Sequence, residues 1–172
     1  ASIEESIKDI ESVDRKFGKG FKEMSKKVAD FKSDWQNLKA KSNTLNANQL
    51  EEIHTKLIAD LRDLITYTGN DSNLILDPDL DTFYLMDVTL LKIPSLSDYL
   101  YQLQSLTEKI SMKKSISSDE KTQIVVLSGL INSTLSDLSL DHDTAYINSA
   151  DKNLKNELSR KVDLTKNSIK SY

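Results

Sequence analysis

Apolar residues return every three or four positions over most of this chain, and breaks in that rhythm mark out its elements. The first line runs Ile3, Ile7, Ile10, Phe17, Phe21, Met24, Val28, Phe31, Trp35 and Leu38. Alternating three- and four-residue spacing is a heptad seam, the pattern of a helix packed lengthwise on others. It predicts one helix over residues 3–43, about 60 Å long at 1.5 Å per residue. Gly18 and Gly20 fall inside that helix, each costing up to about 1 kcal/mol relative to alanine. Asp14 interrupts the seam, with Val13 beside it. Two placements are open. Either Asp14 lies on the seam and needs a partner or water, or Val13 fills the seam and Asp14 turns outward.

Ser42–Asn46 reads as a turn, with Asn48 or a neighbour capping a second helix through Leu50, Ile53, Leu57, Leu61 and Leu64 to about Thr68. Gly69, just past its end, reads as the C-cap. Later, Ile93-Pro94-Ser95 marks a kink or a new start, because proline disfavours helix in the residue before it. Leu96, Leu100, Leu103, Leu106 and Ile110 carry the next helix to about Lys113. Ser117 and Glu120 have the spacing of a capping box. The last helical pattern runs Ile124, Leu127, Ile131, Leu135 and Leu138, then Leu154, Leu158, Val162, Ile169 and Tyr172. Its phase slips over 139–144, which suits a stutter or a short break equally.

The stretch 69–94 stands apart from this regularity. Asp77-Pro78 is a helix-start signal, because aspartate caps free N–H groups and the proline φ suits a first turn. Asp79 and Asp81 then sit where carboxylates meet the positive end of the helix dipole. The same aspartates alternate as in the opening of a calcium loop. The glycine and glutamate that an EF-hand requires are replaced by Thr82 and Val88, so no metal is expected. Counting equal rises along the helices puts Asp14 and the glycines, the loop 69–78 and the phase slip at one level. On that count residues 1–172 form a single domain of two stacked halves. One half holds about 20–69 and 95–140, and the other about 1–19, 70–94 and 141–172. Asp14, Asn73, Tyr84 and Asp87 would meet at the joint, either as a site for a small ligand or as a buried structural network.

Composition narrows the picture. Four glycines and two prolines in 172 residues are too few for the turns of a sheet protein. The expected class is all-α, an elongated up-down bundle with long terminal helices, built as two stacked four-helix-type modules. A net charge of -4 without a clustered basic face excludes nucleic acid as an expected partner. The absence of cysteine removes disulfides and thiolate chemistry. His142, between Asp141 and Asp143, suggests either a metal ligand or pH switch or, the preferred reading with only His54 elsewhere, a solvated surface group. No nucleophile–base pair or phosphate-binding glycine loop occurs, so neither catalysis nor a cofactor is expected. No apolar run approaches the ~20 residues of a membrane span. The chain starts at Ala1 inside a periodic pattern, as an excised segment of a longer protein would.

The run Asn70-Asp-Ser-Asn-Leu-Ile-Leu-Asp-Pro-Asp-Leu-Asp-Thr-Phe-Tyr-Leu-Met-Asp87 resembles one found in all-helical extracytoplasmic sensor domains. These belong to bacterial sensor histidine kinases and methyl-accepting chemotaxis receptors, and to some cyclic-dinucleotide enzymes. Val13-Asp-Arg-Lys-Phe-Gly18 and Trp35-Gln-Asn-Leu38 are similar to the family's first-helix motif and its tryptophan. Phe83 departs from the pattern, which has a tyrosine there. The resemblance implies a periplasmic, ligand-sensing bundle between two membrane helices of an inner-membrane receptor, often homodimeric and non-catalytic itself. The runner-up expectation is a coiled-coil interaction or scaffold protein that uses the first seam as a partner surface.

Overall fold

A computed structural model describes residues 2–170. The chain is an all-α helical bundle of seven α-helices among the described residues: α1 (Ile3–Phe17), α2 (Met24–Lys41), α3 (Ala47–Asp71), α4 (Leu80–Asp87), α5 (Ile93–Lys113), α6 (Ser118–Asn148) and α7 (Leu154–Lys170). They gather into two compact units that are contiguous in sequence, Ala1–Leu74 and Ile75–Tyr172. The interleaved halves expected from counting rises are therefore not how the helices pack. That count assumed a straight first helix.

In the first unit the seam does not run through. α1 ends at Phe17, Gly18–Gly20 forms a single tight turn, and the chain reverses into α2. The cross-helix pairs establish the reversal: Lys39 meets Glu4 at 2.5 Å, Lys32 meets Glu11 at 2.6 Å, and Ser25 meets Asp14 at 2.9 Å. Gly18 is needed for closeness and not for its φ of -61°. A Cβ there would stand 1.9 Å from Asp14 Oδ1. The heptad spacing survives because an antiparallel hairpin buries one stripe from each arm, and periodicity alone cannot distinguish that from a single rod. Met24, Val28 and Leu64 form the core, with Ile10, Phe21, Leu61 and Tyr67 packed around it. Phe17, expected on the seam, is 55% exposed, since it lies where the hairpin turns.

α3 returns antiparallel to α2, pinned by Lys27–Asp63 at 2.6 Å and Lys56–Asp34 at 2.7 Å. Asn46 is its N-cap, in a capping box with Gln49. Its far end corrects the role expected of Gly69. That glycine is buried inside the last turns of α3. The left-handed residue that stops the helix is Asn73, at φ 57°, whose N–H reaches the Asn70 carbonyl at 3.1 Å. Asparagine tolerates this conformation better than other side chains.

The second unit begins with an exposed 3-10 turn, Leu74–Leu76, that bridges the boundary, and with the aspartate stretch. Asp79, not Asp77, is the N-cap residue of α4, and Pro78 lies outside the helix. Asp77 instead accepts the Asp79 N–H at 3.0 Å, which orders the approach. Asp81 does fall in the first turn.

Pro94 neither breaks the rod nor starts a new one. It sits in the first turn of α5, directly after a π-helical stretch over Val88–Lys92. The Ile93 N–H bonds to the Val88 carbonyl, five residues back. A wider turn immediately before proline takes up the register that its missing N–H would otherwise disrupt. α5 ends at Lys113, and Lys114 takes the left-handed conformation at φ 54°.

The capping box at Ser117 and Glu120 is present. α6 passes unbroken through the phase slip at 139–144, and the break comes later, over 149–153. α7 then folds back. Val162 and Ile169 pack against a core of Val88, Leu96, Ile131, Leu135 and Leu138, which a helix continuing onward from Asn148 could not reach. Each unit is therefore an antiparallel three-rod arrangement, not a four-helix module, and the terminal helices are 15 and 17 residues long. Tyr172, the last predicted seam position, lies outside the described residues. α6 is long and apolar enough to cross a membrane by length and composition, with a mean hydropathy of 1.2. Here it is the helix on which α4, α5 and α7 pack.

Candidate functional site

The four residues singled out in sequence divide between the units: Asp14 and Asn73 in the first, Tyr84 and Asp87 in the second. Asp14 lies inward, since its neighbour Val13 is 58% exposed. It accepts the Ser25 hydroxyl above Gly18. This makes Asp14 a clasp of the α1–α2 hairpin. Asn73 ends α3. Tyr84 stacks edge-on against Phe83, with ring centroids 5.4 Å apart. Each of these three has a place in the packing or capping of its own unit.

Asp87 is different, because the fold brings it to groups that sequence spacing did not connect with it. It stands at the C-terminal end of α4, where the wide turn over Val88–Lys92 begins. Lys92 Nζ is 3.5 Å from its carboxylate and 3.9 Å from that of Asp137 on α6. Across the interface lies Asp141, only 6% exposed. Its Oδ2 is buried with no donor to bond it. Burial, followed by the adjacent Asp87 carboxyl, pushes the Asp141 carboxyl up from 3.8 to about 6, and Lys92 only partly offsets this. The orphaned oxygen and the raised affinity for protons have one explanation. A desolvated carboxyl beside a second one binds its proton more tightly than a solvated carboxyl does, and below about pH 6 that proton supplies the Asp141 oxygen with the hydrogen bond it lacks.

His142 is the clearest failure of the sequence reading. It is 7% exposed, not solvated, and its Nδ1 donates to the Leu138 carbonyl at 2.7 Å. Its ring lies 5.9 Å from that of Tyr146, whose hydroxyl is buried without a partner. Burial, with Asp143 and Asp163 adding to it, raises the Tyr146 phenol above its ordinary range. No group of three metal-ligating side chains occurs among the described residues.

Each unit has a largely apolar concave space near these groups. In the first, a cavity of about 340 Å³ is walled by Ile7, Ile10, Phe31, Leu57 and Leu61, with Trp35 and His54 on its edge. The buried Trp35 indole N–H has no hydrogen-bond partner. It lies close enough to Glu4 to be the least of the causes, after Lys39, that hold that carboxyl below its usual range. In the second, a cleft of about 500 Å³ opens between α5, α6 and α7 beside His142.

No protein-family model matches the chain. Neither a curated protein nor a solved structure matches it.

Proposed function

We propose that this chain is the extracytoplasmic sensory domain of a bacterial transmembrane receptor, a sensor histidine kinase or a chemoreceptor. It would bind a small molecule, with no catalysis of its own, and pass the signal on by displacing helices. The observation that carries this reading is the 70–87 run, which ends on Asp87 beside the buried Asp141 carboxyl. A signalling domain needs an element with two packings between which a ligand can choose. The wide turn at Val88–Lys92 supports such a role, because π-bulges let a helix shift register and recur at functional positions. Beside it, the buried Asp141 carboxyl, already raised to about 6, responds to a change in local charge. The homodimer and the flanking membrane helices belong to the same proposal.

The scaffold alternative keeps only part of the surface it would use. Ile7, Met24, Val28 and Leu38 of the first seam are buried within the first unit, while Ile3 and Phe17 of the same seam stay exposed. The test is the parent gene on either side of this segment. The sensory reading expects a hydrophobic span of ~20 residues before Ala1 and another after Tyr172, and the absence of both would overturn it.

A further inference from the structure

The cleft in the second unit combines features that select a ligand. Its walls are apolar, from Leu96 and Leu100 on α5, Leu135 and Leu138 on α6, and Val162 and Ile169 on α7. Its volume, about 500 Å³, lies in the range of small-molecule sites. The other chemistry at its edge is cationic or already committed. Lys161 and Lys166 line it, and neither makes an ion pair among the described residues. The hydroxyl hydrogens of Ser97 and Thr165 are spent on the carbonyls of Ile93 and Lys161, at 2.9 and 3.0 Å. His142 forms part of the lining with Nδ1 tied to its own helix. Asp141 is absent from the lining, and its carboxyl is engaged with Asp87.

A chain of net charge -4 thus keeps, at the edge of an apolar space, two ammonium groups that pair with none of the described residues. We infer that this cleft binds a small amphipathic monoanion, a medium-chain alkyl or arylalkyl carboxylate, with its tail among the leucines and its carboxylate between Lys161 and Lys166. Hydrophobic burial supplies most of the affinity. The lysines discriminate the charged head from a neutral one. The ligand would bridge α7 to α5 and so favour the packing in which α7 is closed down. This deepens the sensory reading and rests on it for its biological purpose, though not for its chemistry.

The test is calorimetric titration of residues 1–172 with octanoate and, separately, with octanamide, at low ionic strength. Octanoate should bind saturably and about tenfold or more tighter than octanamide, the factor expected of a charge-assisted contact at a partly exposed site. The double variant Lys161→Gln/Lys166→Gln should lose that preference and keep the octanamide affinity, with an unchanged circular dichroism melt. Val162→Trp, which fills the cleft, should abolish both. No saturable octanoate binding, equal affinity for the two probes, or a preference that survives in the double variant would each overturn the assignment. These outcomes are independent of the sensory reading, which the spans in the parent gene decide.

Discussion

Replacing Asp141 by asparagine should make the protein more stable at neutral pH, contrary to the usual cost of altering a buried polar side chain. Burial and the neighbouring Asp87 raise the Asp141 carboxyl from 3.8 to about 6, so the folded state binds a proton that the unfolded state has released. The sign follows. Proton binding by this group stabilises the fold fully below about pH 4, and that contribution disappears as pH rises through about 6. Each tenfold change in acidity is about 1.36 kcal/mol, so the deficit above pH 7 is at most ~3 kcal/mol, and less if Asp87 and Lys92 relax. Asparagine is isosteric, uncharged, and donates to Asp87 at every pH. Urea titrations of wild type and Asp141→Asn at half-unit intervals from pH 4 to 8 measure the difference. That difference cancels carboxylates of opposite sense, such as Glu120, which Lys113 and the capping box hold down at about 2. The variant should match wild type near pH 4 and exceed it by ~1–3 kcal/mol above pH 7. A constant offset across the range, or a variant less stable at pH 8 than at pH 4 relative to wild type, would refute the raised proton affinity of Asp141.

Three other outcomes follow from local geometry. Gly18→Ala should destabilise by ~1–3 kcal/mol despite alanine's higher helix propensity, because its Cβ would collide with Asp14 Oδ1; Asp14→Ala in the same chain should recover part of the loss in urea midpoint. Asn73→Val should cost ~1–2 kcal/mol and Asn73→Gly almost nothing, since only the left-handed φ of 57° is at stake; thermal melts compare the two. Pro94→Ala restores an N–H and should reduce the need for the wide turn at Val88–Lys92, seen as slower amide exchange over 88–94.

Much of the fold was legible because apolar periodicity and capping chemistry are local. The turn at 42–46, the end of α5 at Lys113 and the capping box at Ser117 all follow from a few adjacent residues. The reversal at Gly18–Gly20 was not legible, since the spacing continues in phase across it and the deciding fact, Asp14 pressing on Gly18, is tertiary. Asp14 and Asp87 were recognisable as seam-side carboxylates. What Asp87 meets was not, because Asp141 is 54 positions away on a helix whose slipped phase hid its inward face. The same slip concealed His142: flanking aspartates suggested water, yet the phase of α6 turns Asp141 and His142 inward and leaves only Asp143 exposed. A buried Asp-His pair inside an apolar pattern was the available signal.

Accessibility in living cells tests the extracytoplasmic placement of this domain most directly. The segment contains no cysteine, and Met112, near the end of α5, is 83% exposed, so Met112→Cys adds a single reporter thiol here to the full-length parent. Labelling intact cells with a membrane-impermeant maleimide, then mapping the adduct to this peptide, should give modification without lysis. A thiol that reacts only after the cells are broken would place the domain in the cytoplasm and contradict the sensory assignment.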